Sequence, residues 1–182
     1  MRRLFALIEH YLPFLYHQAP WRAAIGFAVG LSVILGAWGS QLIGGLEPCE
    51  LCLLQRWPYY LGLPVLAVVL AGWKQLPAAL RLGLTVLVVL DFVVGMGFGI
   101  YHAGVEYGFW MGPTACSGPG TAVSFTDLTN INAAQVVPCD EVQWQMFGIS
   151  LAGFNALASA FIAFMLGWSA LGQWQRMTGA RT

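Results

Sequence analysis

Residues 23–43, AAIGFAVGLSVILGAWGSQLI, form an uncharged, largely apolar run of 21 residues. At about 1.5 Å per residue, a helix of this length spans roughly 31 Å, which matches the hydrocarbon core of a bilayer at roughly 30 Å. Three further runs of this kind occupy residues 57–73, 82–101 and 146–171. The sequence therefore predicts an all-α membrane protein in which residues 1–182 form a single integral membrane domain, a bundle of four transmembrane helices.

The composition of the whole chain favours the same class. Of the 182 residues, 58% are hydrophobic and only 9% are charged, whereas soluble domains average about 25% charged residues. The eight Lys and Arg balance eight Asp and Glu and form no basic stripe of the kind that a nucleic-acid-binding surface needs. We therefore expect membrane lipid and exclude nucleic acid as a partner.

The basic residues predict the orientation of the bundle. Four spans place both termini on one side, together with the short turn at residues 74–81. By the positive-inside rule this side is cytoplasmic, since it carries Arg2, Arg3, Arg22, Lys74, Arg81, Arg176 and Arg181. The outer loops, residues 44–52 and 102–145, then face away from the cytoplasm. Arg56 alone breaks the pattern, so it is either a functional residue or an arginine that snorkels at the outer mouth of the second span.

Two smaller features complete the predicted architecture. Gly26 with Gly30, and Gly95 with Gly99, have the spacing that lets membrane helices approach closely, so we expect them to be packing positions. In the second outer loop, apolar residues recur at helical spacing over residues 124–131. This segment predicts a short helix that lies on the membrane surface.

All four cysteines lie in the predicted outer loops, where disulfides persist if the compartment is oxidising. Cys49 and Cys52 form a C-x-x-C pair, and Pro48 suits the first position of the helix that follows. A helix N-terminus and a nearby cation both favour a thiolate. Arg56 follows Cys52 by four residues, one turn deeper on the same predicted helix face, and is the candidate cation. The sequence therefore indicates a redox-active pair at the membrane boundary, within reach of a lipid-soluble oxidant.

The second pair, Cys116 and Cys139, encloses 22 residues of a loop rich in Gly and Pro, where a disulfide would be accessible to a protein substrate. Two other interpretations of the cysteines compete with this one. The four could form static structural disulfides, although a C-x-x-C at a helix start argues against it. Zinc is disfavoured because the second pair lacks C-x-x-C spacing and His102 is the only histidine of the outer loops, so we predict no metal.

The residues around these cysteines resemble the DsbB family, bacterial inner-membrane quinone reductases that reoxidise the periplasmic dithiol oxidase DsbA. The resemblance covers most of the chain. Its most specific parts are Pro48-Cys49-x-x-Cys52 with Gln55-Arg56, and Cys139-x-Glu141-x-Gln143-Trp144 before the fourth span. Tyr101-His102 and Pro113-x-x-Cys116 also resemble the family's second outer loop.

The resemblance implies a function and a role for each site residue. A reduced DsbA-type protein would attack the Cys116–Cys139 disulfide, Cys139 would then pair with Cys49, and the freed Cys52 thiolate would pass electrons to ubiquinone or menaquinone. Arg56 would hold a quinone oxygen, and His102 would border the quinone pocket. The chain would then be a protein dithiol:quinone oxidoreductase of the bacterial inner membrane, with cytoplasmic termini and periplasmic cysteine loops.

Three other functions are weighed against this one. The vitamin K epoxide reductase family also combines four helices, a C-x-x-C and a quinone, but there the loop cysteines precede the C-x-x-C, whereas here Cys49 and Cys52 come first. A paralogue that serves a different thiol oxidase is an alternative. So is a non-enzymatic membrane scaffold with structural disulfides, which the pairing of Arg56 with Cys52 disfavours.

Asp91 has no assigned role. It lies near the middle of the third span, where a carboxylate is costly unless it is paired or protonated. Our hypotheses are a hydrogen bond to Asn155 of the fourth span, or a proton route for quinol formation.

Overall fold

A computed structural model describes residues 18–113 and 138–179. The elements, in chain order, are α1 (Ala19–Leu42), α2 (Glu50–Leu54), α3 (Trp57–Ala71), α4 (Ala78–Glu106), β1 (Gln145–Met146), β2 (Ile149–Ser150) and α5 (Leu151–Met177). α1, the combined segment of α2 and α3, α4 and α5 are each long and apolar enough to cross a membrane. This confirms the predicted all-α bundle of four spans. Cys116 and the predicted surface helix, residues 124–131, lie outside the described residues.

The helices extend beyond the apolar runs that predicted them. α4 covers residues 78–106 rather than 82–101, α1 starts earlier than predicted, and α5 ends later. Polar residues fit into the additional turns because they find partners there. Arg81, for example, donates to Gln173 Oε1 at 3.1 Å and to the Trp73 carbonyl at 2.5 Å. Hydropathy alone therefore underestimates helix length near the membrane boundary.

The predicted start of the fourth span at residue 146 is wrong. Residues 145–150 instead form an antiparallel hairpin, in which β1 pairs with β2. Phe147 and Gly148 make its turn with φ of 53° and 78°, both left-handed values that suit a two-residue hairpin turn and interrupt a right-handed helix. Ser150 then caps α5, since its Oγ accepts a hydrogen bond from the Gly153 N–H at 3.2 Å.

The core of the bundle lies between α1, α3, α4 and α5. Its fully buried side chains are Leu66, Val69, Phe92, Ile162 and Leu166. The outward faces of the same helices expose large apolar side chains such as Leu61, Leu87 and Phe164. Exposed apolar surface on this scale is unusual for a soluble monomer, and it suits contact with lipid.

The predicted packing glycines lie at close helix contacts. A Cβ added at Gly30 would lie 2.8 Å from Leu63 Cδ2, and one added at Gly99 would lie 2.8 Å from the backbone N and Cα of Ala156. A leucine methyl can rotate away from such a contact, but backbone atoms of a helix cannot. Gly99 therefore lets α4 and α5 approach each other backbone to backbone.

We expect Gly99→Ala to destabilise the bundle by about 1–3 kcal/mol, because the added methyl group overpacks a contact with backbone atoms. Thermal unfolding in detergent, followed by circular dichroism, measures the change. Gly97→Ala is the matched control, because a Cβ there meets no atom within 4 Å and alanine favours the helix. Equal melting temperatures for the two variants would contradict the close contact at Gly99.

Candidate functional site

The C-x-x-C pair lies where the chain enters α2. Cys49 is the N-cap of α2, with φ −70° and ψ 171°, and its Sγ accepts a hydrogen bond from the Cys52 N–H at 3.2 Å. Pro48 was expected at the first helical position but lies just outside the helix, because Cys49 takes the cap. Both cysteines are free thiols, and their sulfurs are 2.8 Å apart. This backbone arrangement holds the two sulfurs side by side, as disulfide exchange requires.

His102 of α4 faces this cysteine pair. The extension of α4 beyond its predicted end places His102 within a regular helix, where only 2% of its surface is exposed. Its Nε2 lies 3.6 Å from Cys49 Sγ and 4.0 Å from Glu106 Oε1. Sequence reasoning missed Glu106, although its spacing of four residues from His102 places both on one helix face.

A chain of hydrogen bonds leads from His102 into the bundle. The Gln55 amide nitrogen lies 2.5 Å from His102 Nδ1, and Gln55 Oε1 accepts from Asn155 Nδ2 at 2.7 Å. Asn155 Oδ1 in turn accepts a hydrogen bond from the Tyr59 hydroxyl at 2.7 Å. The Tyr59 hydroxyl also lies 3.3 Å from Ser159 Oγ. Sequence reasoning did not assign Gln55 or Asn155 a role in the site. The available signals were the Gln55-Arg56 pair of the family resemblance and the presence of an amide, Asn155, in an otherwise apolar span.

This chain determines where His102 carries its proton. An amide NH₂ group can only donate, so His102 Nδ1 is the acceptor and the proton of the neutral ring is on Nε2. That N–H points toward Cys49 Sγ. The ring is therefore arranged to stabilise negative charge on Cys49.

The electrostatics of the pair favour a thiolate at Cys49. The pKa of the Cys49 thiol is lowered to about 5, chiefly by the hydrogen bond from the Cys52 thiol. Burial opposes this shift, whereas the hydrogen bonds from His102 and from the Cys52 N–H add to it. These neighbours therefore favour ionisation of Cys49 when the pair is reduced. The lowered pKa arises from these neighbours, and Arg56, the cation that the sequence suggested, is not among the causes.

Arg56 lies in a break between α2 and α3. α2 ends at Leu54 and α3 begins at Trp57, so a two-residue turn separates Cys52 from Arg56, although its backbone stays in the right-handed helical region. The guanidinium instead crosses to α1, where it donates to Gln41 Oε1 at 2.7 Å and to the Ala37 carbonyl at 3.3 Å. These bonds use two of the five N–H donors of a guanidinium.

A cavity of about 330 Å³ lies beside the cysteine pair, between α1, α3 and α5. Most of its lining is apolar, including Val33, Ile34 and Phe154. Its polar members are Ser40, Cys52, Gln55, Arg56, Tyr59, Gln143 and Asn155. Cys52 and Arg56 thus share one cavity, whereas His102 is not among the lining residues and reaches the cavity only through Gln55.

Cys139, near the end of the second outer loop, packs against the C-x-x-C pair. It is disulfide-bonded and 1% exposed, and it belongs to one buried cluster with Cys49, Leu51 and Val105, against which Cys52 also packs. Gln143 helps to hold this segment, since its amide donates to the Glu47 carbonyl at 2.8 Å. Cys116, the other predicted member of the loop pair, lies outside the described residues.

The cysteine pair and His102 have a geometry that resembles a metal site, since their three ligand atoms lie within 4.8 Å of one another. A histidine that binds a metal presents a lone pair to it and donates its other N–H to a partner. Here the Gln55 amide nitrogen donates to Nδ1, so the nitrogen that faces the sulfurs carries the proton. The proton arrangement suits thiolate chemistry better than metal binding.

Asp91 is not where the sequence hypothesis placed it. Asn155 is engaged with Gln55 and Tyr59, so the predicted hydrogen bond from Asp91 to Asn155 does not form. Asp91 instead faces α3, where its Oδ2 would lie 2.7 Å from a Cβ added at Gly62. This oxygen is buried and has no hydrogen-bond partner among the described residues.

Comparisons with known proteins show the family of this chain. The family model for disulfide bond formation protein DsbB matches residues 20–169. A disulfide bond formation protein B from Hahella chejuensis is 33% identical over 73% of this chain and 81% of its own length. Those from Nitrosococcus oceani and Saccharophagus degradans are 28% and 30% identical, over 81% and 87% of this chain and 89% and 93% of their own lengths. No solved structure gives a significant match.

Proposed function

Because the chain belongs to the DsbB family of disulfide bond formation proteins, we propose that it oxidises a periplasmic DsbA-type dithiol protein and passes the electrons to a membrane quinone. Membership of this family, together with the four spans, makes the chain a multi-pass membrane protein that takes part in disulfide bond formation. The finer assignment, a protein dithiol:quinone oxidoreductase, rests on the arrangement of the cysteines and of the cavity.

The observation that carries the proposal is the position of Cys139. This disulfide-bonded cysteine is buried in one cluster with Cys49, while Cys52, the other cysteine of the C-x-x-C pair, lines the neighbouring cavity. Thiol–disulfide exchange needs sulfurs that can approach each other and a thiolate of suitable pKa. A non-enzymatic scaffold with structural disulfides would not require free thiols, a stabilised thiolate and an apolar cavity to lie together.

We propose the following exchange steps. A thiolate of the partner protein attacks Cys116, which breaks the Cys116–Cys139 disulfide and releases Cys139 as a thiolate. Cys139 attacks Cys49, which breaks the Cys49–Cys52 disulfide and releases the Cys52 thiolate at the cavity. The partner's second thiolate attacks the partner sulfur that is bonded to Cys116, so the partner leaves as a disulfide and Cys116 is released as a thiolate. Cys116 then attacks Cys139, which re-forms the loop disulfide and releases Cys49. Cys49 and Cys52 finally re-form their disulfide, and the two electrons that they lose reduce the quinone.

The cavity fits a quinone head group. Small-molecule sites commonly enclose roughly 300–1,000 Å³ and are apolar with a few polar groups, which the cavity of about 330 Å³ matches. A quinone accepts two electrons and two protons to become a quinol, so the overall reaction converts a protein dithiol and a quinone into a protein disulfide and a quinol. Arg56 would donate a hydrogen bond to a quinone oxygen and stabilise the negative charge that develops there.

The proposal places the cysteine-bearing end of the bundle in the bacterial periplasm and both termini in the cytoplasm. The positive-inside rule supports this orientation, because Lys74, Arg81 and Arg176 lie at the opposite end. A periplasmic location also gives the loop disulfide access to a soluble thiol protein in an oxidising compartment.

The protein purified in detergent tests the proposal directly. A reduced DsbA-type dithiol protein is added together with ubiquinone or, in a parallel sample, menaquinone, and quinone absorbance is followed. We expect turnover with at least one quinone and one disulfide formed in the partner per quinone reduced. If neither quinone is reduced while the partner stays a dithiol, the oxidoreductase proposal fails and a structural role for the cysteines is favoured.

We expect Arg56→Ala to lower kcat/KM for the quinone by roughly 10- to 100-fold, the loss of one hydrogen bond to a charged group. The variant is compared with Arg176→Ala, which removes an arginine at the other end of the bundle and should leave quinone kinetics unchanged. Titration of quinone separates KM from kcat. A normal kcat/KM in Arg56→Ala would show that Arg56 does not contact the quinone.

A further inference from the structure

The hydrogen bonds that start at Tyr59 all run in one direction. The Tyr59 hydroxyl donates to Asn155, Asn155 donates to Gln55, and Gln55 donates to His102 Nδ1. The donor at the end of the chain is His102 Nε2–H, which faces Cys49 Sγ at 3.6 Å. Hydrogen bonds that share one direction polarise one another, so each of them adds to the positive potential at the sulfur.

We infer that Gln55, Asn155 and Tyr59 are positioning residues, which hold His102 in the tautomer that carries its proton on Nε2 and so keep Cys49 a stable thiolate. The inference rests on the proposed function for its place in the reaction. None of the three residues needs to touch a reacting atom to do this. They act through the ring of His102.

The opposite tautomer is costly in this environment. With the proton on Nδ1, His102 would present an N–H to the N–H of Gln55, and a lone pair on Nε2 to the thiolate. If the amides of Gln55 and Asn155 rotate together and the Tyr59 hydroxyl donates to Ser159 Oγ instead, the first repulsion is removed. The second remains, because Nε2 still presents its lone pair to the thiolate. Gln55, Tyr59 and His102 are buried, and a mispaired polar group costs most where water cannot replace its partner.

The charged and titratable groups that face Cys49 come from two elements. Cys52 is its neighbour in α2, and α4 contributes His102 and Glu106. Glu106 is itself held by a short hydrogen bond from Ser150 Oγ. Cys139 packs in the same cluster but is in a disulfide and does not titrate. The Nε2–H of His102 therefore lies near both the thiolate and the Glu106 carboxylate, which would otherwise repel each other.

The thiolate matters in the step that regenerates the loop disulfide. When Cys116 attacks Cys139, the bond between Cys139 and Cys49 breaks and its electron pair goes to Cys49. Exchange is faster when the leaving thiol has a lower pKa. A chain of hydrogen bonds that lowers the pKa of Cys49 therefore speeds this release, and leaves Cys49 ready to re-form its bond with Cys52.

The test is the pH dependence of Cys49 alkylation in the full-length reduced protein. The protein in detergent is treated with brief pulses of iodoacetamide between pH 4 and pH 9, and fragment mass spectrometry follows the modification of Cys49 separately from that of Cys52. Burial slows alkylation equally at every pH, so the midpoint of the profile reports ionisation alone. For the wild type we expect a midpoint near the lowered pKa of about 5.

Gln55→Leu and Asn155→Leu should raise this midpoint by roughly one to two pH units, the worth of a hydrogen bond to a charged group. Tyr59→Phe keeps the ring and should raise the midpoint by less, because only the far end of the chain is lost. Thr85→Val is the matched control. It deletes a buried hydroxyl that bonds to Arg81 and Gln173 at the other end of the bundle, and it should leave the midpoint unchanged.

The inference is overturned if the three substitutions leave the midpoint at its wild-type value, or if Thr85→Val moves it as far as they do. If the leucine variants fail to fold, Tyr59→Phe alone tests the inference. A raised midpoint in Tyr59→Phe would support the positioning role, and an unchanged midpoint would contradict it. Alkylation needs neither a quinone nor a partner protein. If the variants raise the midpoint but the protein reduces no quinone, the positioning role is supported and the proposed function fails. If the protein reduces quinone but the variants leave the midpoint unchanged, the proposed function is supported and the positioning role fails.

Discussion

Replacing Cys52 with serine should abolish quinone reduction, with a fall in kcat at least on the order of 10³-fold, as expected when a reacting nucleophile is removed. Cys52 is the sulfur of the C-x-x-C pair that lines the cavity. Without it the Cys49–Cys52 disulfide cannot form, and no sulfur of the pair can deliver electrons there. Quinone absorbance with a reduced DsbA-type donor measures the loss.

The same variant should still react with the donor once. The loop disulfide does not include Cys52, so a single equivalent of reduced partner should open it, which thiol-specific mass labelling of Cys139 detects. Ser40→Ala is the control for damage to the cavity. Ser40 lines the same cavity, but among the described residues its hydroxyl bonds only to the Ala37 carbonyl of its own helix, so turnover should be close to that of the wild type. Normal turnover by Cys52→Ser would exclude the proposed route.

The second large effect is expected for Cys139→Ser. This substitution removes the loop disulfide, so a partner protein has no bond to attack, and turnover with the protein donor should fall on the order of 10³-fold. Dithiothreitol is small enough to reduce the C-x-x-C pair without the loop. Quinone reduction driven by dithiothreitol should therefore persist in this variant, whereas Cys52→Ser should fail with both donors.

Asp140→Asn is the control for Cys139→Ser, because Asp140 is the exposed neighbour of Cys139 and takes no part in the exchange. It should retain turnover with the protein donor. If Cys139→Ser turned over normally with that donor, the partner would reach the C-x-x-C pair directly and the loop disulfide would have no part in the reaction. Loss with both donors, in a variant that unfolds at the wild-type temperature, would instead give Cys139 a role beyond the loop disulfide.

Much of the bundle could be predicted from local sequence. A helix in lipid must satisfy its own backbone and present apolar side chains, so the run at residues 23–43 and its three counterparts identify the spans without reference to each other. Gly99 could be identified as a packing position for a similar reason, since a small residue at that spacing serves close helix contact. Helix ends were less predictable, because residues such as Arg81 continue a helix only when a partner from another segment is present.

The candidate site was predicted in part. Cysteine spacing and position identified the C-x-x-C pair, and the resemblance to a known family assigned roles to Arg56 and His102. The structure associates His102 with Cys49 and directs the Arg56 guanidinium toward α1, and the quinone contact of each remains a prediction. Arg56 lines the same cavity as Cys52, as the helical spacing predicted, but its guanidinium bonds to α1 and is not among the groups that lower the pKa of Cys49.

The class of the protein and its four spans follow from the amino-acid sequence alone, because they depend on residue type and on spacing within one segment. The groups that surround Cys49 and favour a thiolate there come from distant parts of the chain, so they are visible only in the tertiary structure. Gln55 lies 47 residues from His102 and 100 residues from Asn155. Whether such side chains meet depends on the rotation and depth of each helix in the bundle, and packing between the helices sets both.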